Sequence, residues 1–140
     1  MERRRTKEIR VWVNGTFDVL HRGHLELLEY ASQYGKVRVG IDTDNRVKNL
    51  KGVYRPYNSC DDRQYFMSRI SGVDSVVTFD TDDELCQRIK EWKPDYLIVG
   101  SDYKNKEVIG SQFAKEIIYF DRIGDYSTTK ILSNESISNR

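Results

Sequence analysis

Both histidines of the chain, His21 and His24, lie in one stretch: Asn14-Gly15-Thr16-Phe17-Asp18-Val19-Leu20-His21-Arg22-Gly23-His24. Gly15 and Gly23 frame it and permit tight turns and close approach of a ligand to the backbone. His24 falls at the start of a predicted helix, where free N–H groups and the helix dipole attract phosphate. Two imidazoles converging there would give a polyphosphate two further donors. Two other readings stay open on spacing alone. The histidines can be ordinary loop surface, or they can bind zinc with Asp18, although no fourth ligand stands nearby and Cys60 and Cys86 are distant in sequence. The glycines match neither the dinucleotide-binding pattern nor the P-loop.

The elements that must position this loop alternate. Apolar residues at Ile9, Val11 and Val13 predict a strand over Ile9–Val13, and helical spacing of Leu25, Leu28, Leu27, Ala31 and Tyr34 predicts a helix over Gly23–Tyr34. Gly35 then reads as its C-cap. Further strands are predicted over Lys36–Ile41, Val73–Phe79, Tyr96–Val99 and Ile117–Phe120. A helix is predicted over Asp61–Ile70, another from a cap at Thr81 or Asp82 to Trp92, and a short last one over Thr128–Leu132. The stretch Asp42–Cys60 reads as a long polar loop broken by Gly52 and Pro56.

Strand–helix alternation predicts a single α/β domain with a parallel sheet covered on both faces, spanning 9–132. Residues 1–8 read as a flexible basic start and 133–140 as a loose Ser/Asn-rich tail. Ligands of such sheets bind beyond the carboxyl ends of the strands. Four loops meet there: Asn14–Gly23, Asp42–Cys60, Gly100–Gly110 and Asp121–Ser127.

Composition bounds the classes. Of 140 residues, 38% are hydrophobic and 32% charged, with a net charge of +1. That suits a folded domain and gives no general attraction to nucleic acid. No apolar run is long enough for a membrane span, and no apolar segment that could serve as a signal peptide follows the basic Arg3–Lys7 cluster. The two cysteines fit reduced thiols. The expected compartment is the cytoplasm, with no nucleic-acid or membrane partner.

Gly15-Thr16-Phe17-Asp18 followed by His21-x-Gly23-His24 resembles the nucleotide-binding motif of the cytidylyltransferase-like nucleotidyltransferase family. Ser127-Thr128-Thr129-Lys130-Ile131 resembles that family's second motif, at a loop-to-helix junction. Between them, Arg63 matches the arginine opening the helix after the long loop, and Val73-Asp74 matches a pair common there. The resemblance spans about Val11 to Ile131. It implies a Rossmann-like doubly wound fold, a magnesium nucleoside triphosphate (Mg2+ as cofactor, with no protein metal cage) and a homodimer. Histidine at position 21 points to two branches: one activates heptose 1-phosphate with ATP, the other glycerol 3-phosphate with CTP. Leu50-Lys51-Gly52, Arg55-Pro56, Asp62-Arg63, Pro94-Asp95 and Gly100-x-Asp102-Tyr103-Lys104 look like the first. Lys130 is closer to the second. One departure is Asp125, preceded by Gly124, where the family often has glycine two places before the serine.

The resemblance implies a transfer of a nucleoside monophosphate to the phosphate of a sugar or polyol, with pyrophosphate leaving. A phosphate monoester with a second pKa of about 6 is already anionic at neutral pH, so no general base is required. The implied catalytic residues are His21, His24, Lys51 and Arg63. Gly15, Thr16, Phe17, Asp18, Gly23, Asp102, Arg122, Ser127, Thr128 and Thr129 would bind the nucleotide, and Lys48 the acceptor phosphate. Asp18 would either fix its loop or act near magnesium.

Overall fold

The computed structural model describes residues 8–121 and 131–132. Five parallel strands form one sheet: β1 Arg10–Gly15, β2 Lys36–Asp42, β3 Val73–Phe79, β4 Tyr96–Gly100 and β5 Glu116–Phe120. Their order is β3-β2-β1-β4-β5. This is the doubly wound arrangement expected from the alternation, with the order reversing between β1 and β4.

Helices α1 (Arg22–Ser32), α2 (Asp44–Lys51), α3 (Cys60–Ser68) and α4 (Asp82–Trp92) complete the layers. Successive strand side chains point to opposite faces. Val11 and Val13 therefore pack with Leu28 of α1 and Met67 of α3, while Trp12 packs with Leu85 and Ile89 of α4. Two cores result, one on each side of the sheet.

The strand predictions hold within one or two residues at each end. The C-cap reading of Gly35 does not hold, because α1 ends at Ser32 and its C-cap is Gln33. Gly35 is small for another reason: a Cβ there would sit 2.5 Å from the Ile9 carbonyl oxygen.

The stretch Asp42–Cys60 is only partly a loop, since α2 occupies its first half. Val47 is the sole buried residue of α2, so apolar periodicity could not reveal it. Its signals are local. The Thr43 hydroxyl accepts the Arg46 N–H at 3.2 Å, Asp44 sits in the first turn, Lys48 and Lys51 sit in the last, and Gly52 ends it at φ 102°.

The decisive feature for function is the reversal point. β1 pairs with β2 from Arg10↔Lys36 to Gly15↔Ile41. With β4 it pairs only at Val11↔Tyr96 and Trp12↔Leu97. Beyond Trp12 the two strands part, and a crevice opens between their carboxyl ends. Among the described residues no helix is long and apolar enough to cross a membrane. The expectations for residues 1–7 and 133–140, and for most of the helix over Thr128–Leu132, lie outside the described residues.

Candidate functional site

The loop after β1 is held in a costly shape. Phe17 and Val19 both have positive φ, 51° and 48°. For a β-branched residue such as Val19 this conformation is unfavourable and persists only where neighbours enforce it. Asp18, 1% exposed, does the enforcing. Its carboxylate accepts the N–H of Tyr57 at 2.6 Å and that of Asn58 at 2.8 Å. The Asn58 side chain in turn accepts the Val19 N–H at 3.3 Å. Of the two roles expected for Asp18, the geometry gives the loop-fixing one. Two backbone donors meet its oxygens, so it acts here as a positioning residue, at the edge of the cleft it helps to line.

Gly15 lets the Phe17 ring close in; a Cβ there would lie 3.2 Å from that ring. The Thr16 hydroxyl donates to Asp42 Oδ2 at 3.0 Å, which ties the end of β1 to the end of β2.

His21 is the extended N-cap of α1, and the two imidazoles stack with centroids 3.8 Å apart and planes at 20°. The backbone N–H of His21 donates to Nδ1 of His24 at 3.2 Å. An Nδ1 that accepts leaves Nε2 as the protonated nitrogen of a neutral ring, so His24 is set as a donor. The first turn of α1 carries no acidic residue, whereas α2, α3 and α4 each have aspartate there. The positive end of the α1 dipole therefore has no carboxylate in its own first turn to offset it.

These groups line one side of a cleft of about 660 Å³ at the reversal point. Thr16, His21, Gly23 and His24 lie along it, with Asp42 at the end of β2. The α2 side contributes Arg46, Leu50 and Lys51, followed by Arg55. The third side comes from the segment after β4, with Asp102, Tyr103 and Glu107 over Val108 and Phe120. Three of the four expected loops thus meet. The fourth, Asp121–Ser127, lies outside the described residues except for Asp121. A shallower depression between Tyr65 of α3 and Val76 of β3 contains no basic residue and is unsuited to phosphate.

Lys51 reaches the cleft from the last turn of α2. Burial, then the nearby Arg55 charge, lowers its pKa from the ordinary lysine value, and Asp42 and Asp18 partly oppose this. Two cations are pressed together on the α2 side, an arrangement that an anion would relieve.

Two further expectations need correction. Arg63 is fully buried, and its guanidinium is occupied. It donates to the carbonyl oxygens of Asn58 (3.0 Å), Thr16 (2.9 Å) and Asp42 (2.8 Å) and pairs with Asp44 Oδ1 at 2.8 Å. It is a pin between three rim segments, not a fork for triphosphate. Lys48 is exposed on α2 and does not line the cleft, so it is not placed to hold an acceptor phosphate. Arg122, Ser127, Thr128 and Thr129 lie outside the described residues.

Sequence reasoning missed Asp42, Arg46 and Arg55. Asp42 holds Arg46 Nε at 2.9 Å, and Arg46 reaches across to Asp82 at 2.8 Å. The i, i+4 spacing of Asp42 and Arg46 at a strand end was the available signal.

No group of three or more His, Cys, Asp or Glu suited to a metal ion occurs among the described residues. Asp18 and Asp42 are also taken up by protein donors.

The Cytidylyltransferase-like family matches residues 12–134, which takes in the histidine loop and the sheet from Trp12 of β1 onward. The chain belongs to the cytidylyltransferase-like family. Among relatives of this cytidylyltransferase-like domain is the "Bifunctional protein HldE" of Sulfurimonas denitrificans, 44% identical over 123 residues, covering 87% of this chain and 26% of that one. The protein of the same name from a strain of Helicobacter pylori is 46% identical with the same coverage. The chain spans about a quarter of the length of these curated relatives. Among solved structures, a lipopolysaccharide core biosynthesis protein from Thermoplasma volcanium superposes with a TM-score of 0.65 at 23% identity, covering 86% of this chain and 100% of that one. A pantothenate synthetase from Thermus thermophilus gives 0.65 at 16% identity, covering 94% and 64%. At these identities the likeness supports the fold of the cytidylyltransferase-like domain.

Proposed function

We propose that this chain is a nucleotidylyltransferase that moves AMP from magnesium ATP to the phosphate of a heptose or related sugar 1-phosphate. The observation that carries the reading is the stacked histidine pair at the N-terminus of α1, facing Lys51 across the cleft. The identity of 44–46% with bifunctional HldE proteins favours the sugar-phosphate branch.

In the reaction, an oxygen of the acceptor phosphate attacks the α-phosphorus of ATP. The new P–O bond forms as the α–β bridge breaks, and the bond's electron pair leaves with pyrophosphate. The acceptor is already anionic, so the protein's work is to bring mutually repelling anions into line and to offset developing charge. His24 Nε2–H, His21 and the first N–H groups of α1 supply fixed donors for the triphosphate. Lys51 adds positive charge from the opposite side. Asp18 and Arg63 hold the loop that carries these donors.

The test is pyrophosphate release by ATP and CTP against heptose 1-phosphate, other sugar 1-phosphates and glycerol 3-phosphate. The proposal expects turnover with ATP and a sugar 1-phosphate. Turnover only with CTP and glycerol 3-phosphate would replace it with the cytidylyl reading. No turnover with any pair would leave a nucleotide-binding protein without this activity.

The same proposal includes a cytoplasmic homodimer, supported by the family resemblance and by exposed Tyr65 and Phe66 on α3. A monomeric mass by light scattering at micromolar concentration would refute the dimer.

A further inference from the structure

Arg55 stands apart from the other buried arginines among the described residues. Its side chain is only 13% exposed, yet it lines the cleft. Among the described residues its only side-chain acceptor is Asp18 Oδ2, met by Nε at a long 3.4 Å. That carboxylate is already served by the N–H groups of Tyr57 and Asn58 at shorter distances. Nη2 is buried with no partner among the described residues. In contrast, Arg63 spends its guanidinium on protein oxygens at 2.8–3.0 Å, and Arg46 meets two carboxylates at 2.8 and 2.9 Å and the Asp80 carbonyl at 3.4 Å.

A buried guanidinium with unmet donors is costly, because it has lost water without gaining an acceptor. The position of Arg55 is therefore poised: a short swing of its terminal nitrogens toward the cleft would satisfy them on an anion. The surroundings favour a phosphate. Arg55 and Lys51 already repel one another on the same side of the cleft. The planar fork of arginine fits two phosphate oxygens at once, while Asp18 steadies its Nε end.

We propose that Arg55 is a phosphate-binding residue of the cleft. The proposal rests on the reading of the cleft as a phosphate-transfer site. The rival is that Arg55 merely neutralises Asp18. That role would affect stability and leave the affinity of folded protein for anions unchanged.

The experiment is calorimetric titration of the full chain with inorganic triphosphate, standing for the nucleotide, and with inorganic phosphate, standing for the acceptor. Wild type, Arg55→Gln and Arg55→Lys are compared at a temperature where circular dichroism shows each folded. Arg55→Gln is expected to weaken at least one probe by about tenfold or more, with Arg55→Lys intermediate because it keeps charge but loses the fork. Loss for triphosphate alone puts Arg55 on the nucleotide, and loss for phosphate alone puts it on the acceptor. Affinities for both probes within twofold of wild type overturn the proposal. If Arg55→Gln does not fold, Arg55→Lys decides, and unchanged affinity for both probes again overturns it. The probes need no turnover. A wild type that transfers no nucleotide but binds them through Arg55 would sink the proposed function and leave this inference standing.

Discussion

The backbone N–H of His21 and Nδ1 of His24 are joined by a 3.2 Å hydrogen bond, so one histidine of the pair sets the tautomer of the other. The bond closes the first turn of α1 and makes Nε2 of His24 the donor. The two rings are one device built at a helix start.

Replacing either histidine by alanine is expected to reduce turnover by about 10²–10³-fold, the cost of losing one oriented donor to developing charge. His24→Asn is a sharper probe. Its amide oxygen can still accept the His21 N–H, but no group reaches the Nε2 position. It should keep the melting temperature near wild type and still lose turnover. Pyrophosphate release close to wild type in His24→Asn would show that the distal donor does not matter.

Asp18→Asn is expected to cost about 1–3 kcal/mol of stability, because an amide replaces a carboxylate that meets two backbone N–H groups in the interior. Released from Asp18, the segment from Arg55 to Asn58 would no longer enforce the positive φ of Phe17 and Val19. Turnover should then fall more than nucleotide affinity does. Denaturant unfolding beside steady-state kinetics measures both; a variant unchanged in each would remove Asp18 from its positioning role.

Arg63→Met separates the pin from the fork. Three carbonyl oxygens, on Thr16, Asp42 and Asn58, would lose their donor. A loss of about 3 kcal/mol or more is expected, since each buried group left unmet carries its own cost. The midpoint of urea unfolding reports it. Unchanged stability with a raised KM for nucleotide would restore Arg63 to direct phosphate binding.

The sequence makes some of this legible and hides the rest for physical reasons. The strands are visible because Val11, Val13, Val37, Val39 and Ile41 alternate toward buried faces. The histidine loop is visible because rare residue types cluster between glycines. The roles of Arg63 and Asp18 are not. An arginine that binds a triphosphate and one that spends its donors on protein carbonyls and a neighbouring carboxylate look the same in one dimension. Arg55 is visible only as part of a motif, since nothing local signals that its donors go unmet. Helix α2 escaped because one buried residue, Val47, gives no period.

The two lysines of α2 provide the last prediction. Lys48 is exposed and does not line the cleft, so Lys48→Ala should leave kcat and both KM values within about twofold, as for an ordinary surface change. Lys51 sits at the other end of a lopsided helix. The start of α2 is fastened by Thr43 to Asp80, Arg46 to Asp42 and Asp82, and Arg63 to Asp44. Past its end come Gly52, with open space around it, and the exposed Val53 and Tyr54. The end that carries Lys51 is therefore the one free to shift when substrate arrives. A lysine brought in on closure meets charge that develops during transfer. Lys51→Ala should thus lower kcat, by about 10²-fold, more than it raises the KM for nucleotide. The pH profile offers a second check. Burial and Arg55 lower the Lys51 pKa, so its charge is present below that value and is lost, as pH rises, earlier than for an ordinary lysine. The alkaline fall in kcat/KM, which reports the free enzyme, should begin correspondingly early. Lys51→Arg, whose guanidinium stays charged, should move that fall upward. An unchanged kcat in Lys51→Ala, or an alkaline limb that Lys51→Arg does not move, would take Lys51 out of the transition state.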